Sequence, residues 1–179
     1  MTKTDIKRQF ILEKLADHLL AQGMQGSSLR PLAAAAGLSD RMLLHYFVNK
    51  EEVLTAALKL VAARMISLLE SNRSQQLPFQ ALLPGLVELL KDPNIRPFLR
   101  LWLELAALSA AEEAAYRQIA RQISDSFYDW LASALKVDNE EERAPLTALA
   151  FATIEGFVVL DALDYGSRIP SALKGITLL

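Results

Sequence analysis

Residues 27–50 read SSLRPLAAAAGLSDRMLLHYFVNK, and most of the usable chemistry of the chain is concentrated there. Within it, Asp40, Arg41, Leu44 and His45 recur at three- and four-residue steps, which puts them on one side of a short helix, with Leu43 and Phe47 on the other. An outward guanidinium can bind O6 and N7 of guanine with two hydrogen bonds, and a carboxylate can accept from a cytosine amino group. Ser28 and Ser39 stand at N-cap positions, so the first N–H groups of the helices behind them can face phosphate oxygens. Other kinds of chemistry find little to work with. Cys is absent, which excludes disulfides, zinc fingers, iron–sulfur ligation and thiol catalysis. The two histidines, His18 and His45, fall in separate helices, and His45 is expected to pack against the fourth helix or the body. Glu104, Glu112, Glu113 and Glu155 could pair as carboxylates, yet no Glu-x-x-His motif accompanies them and no Gly-rich phosphate loop is present. The chain is therefore expected not to be an enzyme, and to use neither a metal nor a cofactor.

The elements that position this segment follow from apolar periodicity. Ile11, Leu12, Leu15, Ala16, Leu19 and Leu20 form one stripe of a helix over 6–22, with Gly23 placed for a left-handed C-cap. Taking Ser28 as cap puts Pro31 in the first turn of a second helix, 29–36, where a missing N–H is tolerated. Gly37 ends it, Ser39 caps a third helix over 40–47, and Asn49 caps a fourth. Leu32, Ala33 and Ala36 face Leu38, Leu43 and Phe47 across a tight turn, which makes 29–47 a helix-turn-helix whose second helix suits a major groove.

The remainder also reads as helices, over 50–73, 78–91, 95–109, 112–136 and 141–165, with Pro78, Pro93 and Pro97 at breaks or first turns and Gly166 and Pro170 closing the last. The fold class is thus all-α. An N-terminal three-helix head, 1–50, joins through the fourth helix to a C-terminal helical body, 51–179. The head carries seven basic residues against four acidic ones, and the body twelve against seventeen, so only the head has the charge for nucleic acid. No secretory signal precedes the first helix and charges interrupt the longest apolar runs, so a cytoplasmic protein without a bilayer-spanning stretch is expected.

Residues 6–55 resemble the TetR family of transcriptional regulators. The likeness rests on the first-helix pattern up to Gly23, on Ser27-Ser28-Leu29-Arg30-Pro31-Leu32-Ala33, on Ala36-Gly37-Leu38-Ser39, and on His45-Tyr46-Phe47 followed by Asn49-Lys50-Glu51-Glu52-Val53-Leu54. The resemblance implies that Arg30 reaches bases or backbone from the first helix of the motif, that Arg41 and Met42 lie in the base-reading stretch, and that Tyr46 and Lys50 grip phosphates. With Ser28, Ser39 and Asp40 these residues make up the expected DNA-binding set. Leu44 departs from the family, which commonly has Tyr there, so one phosphate hydrogen bond is expected to be missing. Asp40 opens the reading helix with a negative charge, to accept from cytosine or to repel phosphate.

In the body, the last long helix is apolar nearly all round between Ala148 and Leu160, more than one packed face requires. The hairpin of 112–136 and 141–165 is therefore expected to pair with its twin as a homodimer, through Ile123, Trp130, Leu149, Thr153, Gly156, Phe157 and Leu160. The family further implies a small-molecule pocket, with Met65, Leu69, Phe98, Trp102, Leu105, Phe127 and Trp130 as candidate lining and Arg100, Glu104 and Glu155 as polar handles. The expected function is a ligand-responsive regulator, a repressor, which binds a palindromic operator and is released by a largely apolar effector. The alternative is a helical interaction adaptor that does not bind DNA.

Overall fold

A computed structural model describes residues 2–111 and 114–176; Glu112 and Glu113, two of the carboxylates considered above, lie outside the described residues. The elements are α1 (Lys3–Gln22), α2 (Leu29–Ala35), α3 (Asp40–Tyr46), α4 (Lys50–Ser71), α5 (Phe79–Leu90), α6 (Arg96–Ala110), α7 (Ala114–Ala134), α8 (Arg143–Ala162) and α9 (Ile169–Ile176). Among the described residues there is no β-strand, so the all-α class holds, with one isolated parallel bridge between Leu77 and Leu135.

Local chemistry explains where these helices begin and end. Helix α1 starts three residues earlier than its periodicity predicts. The Thr2 side chain accepts from the Asp5 N–H at 3.1 Å while the Asp5 carboxylate accepts from the Thr2 N–H at 2.8 Å, a reciprocal cap that satisfies two otherwise orphaned donors. Helix α2 ends in a Schellman motif: Leu38 N–H donates to the Ala33 carbonyl, Gly37 N–H to that of Ala34, and Gly37 takes a φ of 68°. Helix α8 closes in the same way but without glycine. Tyr165 N–H donates to Leu160, Asp164 N–H donates to Asp161, and Asp164 sits at a φ of 59°, so the helix stops before the Gly166 expected to end it. The chain then re-enters helix as α9, where Gly166 and Pro170 predict a termination. Pro170 lies in its first turn, where no N–H is needed.

The chain divides into two compact units. The first comprises Met1–Met65 with Arg100–Ile123, and the second Ile66–Leu99 with Ser124–Leu179. In the first, Ile11, Leu15, Leu19, Leu32, Leu43, Val53 and Leu58 are buried almost completely, so the apolar faces of α1 to α4 make one core. Arg64 of α4 adds ion pairs to Glu13 and Asp17 of α1, and its hydrogen bond holds the Glu13 carboxyl below the usual carboxylate range. In the second unit the core is built from Leu82, Leu83, Leu131, Leu135, Ile154, Phe157 and their neighbours, and α5 packs on α8. Arg143 ties the start of α8 to the end of α7, donating to the carbonyls of Ala132 (2.8 Å) and Leu135 (2.7 Å).

Among the described residues, Glu140–Ala162 is long and apolar enough by length and composition to cross a membrane, and 28% of its 18-residue window is buried within the chain. One such helix is not evidence of a membrane span, so the expectation of no bilayer-spanning stretch is not overturned. The low burial comes from an exposed apolar stripe. Ala148, Leu149, Ala152, Gly156 and Val159 follow one another at helical spacing on the surface of α8, and Leu163 at its C-cap continues the stripe.

Candidate nucleic-acid interface

Helix α3 is a short rod whose buried side decides which side faces out. Leu43 is 0% exposed and Phe47 2%, which fixes the helix in the core, packed on α2 and tied to α1 by the Arg8 bond to the Tyr46 carbonyl. Asp40, Arg41, Met42, Leu44 and His45 are consequently exposed, Met42 and Leu44 at 42% and 40% despite being apolar. Two large apolar side chains held in water on a seven-residue helix suit a surface that meets another molecule. The N-terminus of α3 is capped by Ser39, whose hydroxyl accepts from Met42 N–H at 3.3 Å. Ser28 occupies the N-cap position of α2 without a side-chain cap bond, leaving its hydroxyl uncommitted to the helix.

Arg30, on α2, and Lys50, the first residue of α4, are also exposed. Asn49 caps α4, its Oδ1 accepting from Glu52 N–H at 2.9 Å. Tyr46, the last residue of α3, is half-buried, with the Lys7 ammonium 5.8 Å from its ring centroid. The head thus carries Ser28, Arg30, Ser39, Asp40, Arg41, Met42, Tyr46 and Lys50 on consecutive elements of one unit, and Lys7 joins them unannounced by the sequence pattern. His45 does not pack against α4 or the body as expected. It is exposed and its ring meets that of Tyr46 edge-on, at 5.4 Å between ring centroids, because the position four residues after Arg41 belongs to the outward face.

The body residues distribute as follows. Met65, Trp102 and Leu105 belong to the first unit, and Leu69, Phe98, Phe127 and Trp130 to the second. Leu105 and Leu69 are buried, at 1% and 3% exposure. Phe127 and Trp130 stack nearly parallel, 6.0 Å apart, and the Trp130 indole N–H donates to Glu70 at 2.9 Å. Bonds from Arg73 and then from that indole hold the Glu70 carboxyl below its usual range. Arg100 and Glu104, read from sequence as handles for a ligand, are engaged elsewhere. Arg100 donates to the carbonyls of Leu20 (2.7 Å) and Ala21 (3.0 Å), and Glu104 accepts from Met24 N–H at 2.5 Å, so both grip the end of α1. Their partners lie about eighty positions away in the chain, and no spacing rule points to them. Of the hairpin residues, Trp130 and Phe157 are buried inside the chain, Ile123, Thr153 and Leu160 are half-buried, and Leu149 and Gly156 lie on the exposed stripe of α8. Among the described residues no three His, Cys, Asp or Glu side chains converge as a metal ion would require.

Comparison with known proteins adds to this geometry. Residues 11–57 match the family described as bacterial regulatory proteins, tetR family. The HTH-type transcriptional regulator PksA of Bacillus subtilis is 28% identical over 133 residues, 73% of this chain and 60% of that protein. The HTH-type transcriptional repressor AcnR of Corynebacterium diphtheriae is 29% identical over 102 residues, 57% of this chain and 47% of that protein. The chain therefore spans less than two thirds of the length of these curated relatives. Among solved structures, a TetR-family transcriptional regulator from Rhodococcus sp. has the same fold, with a TM-score of 0.70 at 22% identity over 96% of both chains. So does the multidrug binding protein EbrR, solved with proflavin, with a TM-score of 0.62 at 21% identity over 93% of this chain and 99% of that one.

Proposed function

We propose, on the match of residues 11–57 to the bacterial regulatory proteins of the tetR family, that the chain represses transcription in the cytoplasm by binding a palindromic operator as a homodimer. Residues 1–50 are the reading head and 51–179 the part that dimerises and responds to a ligand. The observation that carries this reading is the outward face of α3. Asp40, Arg41 and Met42 stand exposed at its N-terminal end while Leu43 and Phe47 lock its other side into the core. In a major groove, that end meets the base edges.

Within this reading Arg41 takes guanine O6 and N7, and Asp40 accepts from a cytosine amino group or excludes other bases. Arg30 reaches bases or backbone from α2, and Lys50 and Tyr46 hold phosphates on either side of the turn between α3 and α4. One head makes too few phosphate contacts to bind tightly at cellular salt, so two heads spaced one helical turn apart are needed. The effector is small and largely apolar, which the aromatic pair Phe127 and Trp130 supports, as does the proflavin bound by EbrR. Its binding shifts the spacing of the two reading helices, with a coupling of about 1–3 kcal/mol.

Selection of bound sequences from a random duplex pool, followed by mobility-shift titration, tests the reading. Arg41→Ala should weaken the selected duplex by about 1–3 kcal/mol and relax the preference at one base position. Lys50→Ala should weaken all duplexes nearly alike and make the salt slope shallower by about one. A helical adaptor would show no salt-dependent affinity for any duplex, and that result would end the proposal.

A further inference from the structure

Neither the family likeness nor the apolar periodicity marks Arg8, yet it occupies the joint on which the orientation of α3 depends. Its Nη2 donates to Glu52 Oε1 at 2.8 Å, and its Nε donates to the carbonyl of Tyr46, the last residue of α3, at 3.4 Å. Its guanidinium carbon lies 4.6 Å from the centroid of the buried Phe47 ring. A cation over the C-terminal carbonyls of a helix is favourably placed with respect to the helix dipole.

Glu52 completes the joint from the other side. Its Oε2 accepts from Val48 N–H, in the turn between α3 and α4, at 2.6 Å, while its own N–H is received by the Asn49 cap. One carboxylate therefore fastens the turn and the arginine together, and one arginine fastens α1 to the end of α3. Four pieces of backbone meet at this pair: α1, the end of α3, the turn and the start of α4. Both side chains are 37% exposed, so the pair is not a core ion pair whose removal would collapse the head.

We propose that Arg8 and Glu52 are positioning residues for base reading, which set the angle at which α3 leaves its support without themselves contacting DNA. The inference rests on α3 being the reading helix. It deepens that reading by assigning selectivity partly to a pair on the supporting elements. With the guanidinium committed to Glu52 and the Tyr46 carbonyl, its charge is already neutralised locally, and its loss should not remove a phosphate contact.

The decisive variant is Arg8→Gln with Glu52→Gln, which leaves the net charge unchanged. In mobility-shift titrations it should bind the duplex selected by the unmodified chain about tenfold more weakly. Its affinity for a random duplex of equal length and its salt slope should stay as they were. Arg8→Lys keeps the charge but not the fork, and should show most of the same loss. A merely structural role would lower the active fraction and weaken both duplexes together, which overturns the proposal. So does a slope shallower by about one in Arg8→Gln alone, the mark of a phosphate contact. If the unmodified chain selects no sequence at all, the reading of α3 falls first and this assignment with it, before any variant is made.

Discussion

Gly156→Arg should leave the chain folded, sediment as a monomer, and bind a selected palindromic duplex at least about a hundredfold more weakly than the unmodified protein. Folding should survive because a Cβ at Gly156 meets no atom within 4 Å, and because arginine is a better helix former than glycine. The site nevertheless lies midway along the exposed stripe of Ala148, Leu149, Ala152, Val159 and Leu163. Small residues at the centre of such a stripe let two helices approach closely, and in a twofold dimer each would meet its own copy. A charged side chain there holds the copies apart and faces apolar surface. In the proposed homodimer, losing the partner removes the effective concentration that delivers the second head to its half-site, hence the large factor. Analytical ultracentrifugation at micromolar concentration and a shift titration are sufficient. A variant that stays dimeric would remove this stripe from the interface.

Gly23→Ala should cost about 2–4 kcal/mol of stability, equivalent to a fall in Tm of roughly 5–15 °C for a chain of this size. Gly23 follows α1 at a φ of 69° and a ψ of −166°, a conformation essentially closed to residues with a Cβ. The left-handed cap predicted from sequence is thus a positive φ with an extended ψ. A methyl group there would also lie 2.6 Å from Oε1 and 2.8 Å from Cδ of Glu104. The carboxylate can swing aside, but doing so abandons the Met24 N–H that it receives. In a Glu104→Ala background the same substitution should therefore cost less, retaining only its backbone strain. Circular-dichroism melting of the four variants measures this. A Gly23→Ala variant that melts with the unmodified chain would refute it.

What could be read in advance was what is encoded locally. Ser39, Gly37 and Pro31 act within one turn of their own position, so the helix-turn-helix and its outward residues followed from about twenty letters. The long body helices followed from periodicity, because each buries a stripe of large apolar side chains, such as Leu101 and Leu105 in α6 or Ile154 and Phe157 in α8. The features that were missed are those with distant or atypical partners. Arg8 bonds across 38 and 44 positions, and Arg100 and Glu104 across about eighty, to backbone groups that leave no residue-type signature. Asp164 closes α8 in a left-handed conformation usually taken by glycine, so the stop was placed too late. Helix α9 was hidden by Pro170, which punctuates a helix at its start as readily as at its end.

The first unit also bears on attempts to borrow it. It is assembled from Met1–Met65 and Arg100–Ile123, two stretches separated by residues 66–99, which fold with the other unit. The buried Leu101, Leu105 and Ile119 belong to that second stretch. A peptide cut after residue 50 or 65 would lose them, together with the Arg100 and Glu104 grip on α1. The portion proposed to read sequence is therefore not a cassette: grafting it onto another sensor, or releasing it with a protease, would require both stretches to travel together.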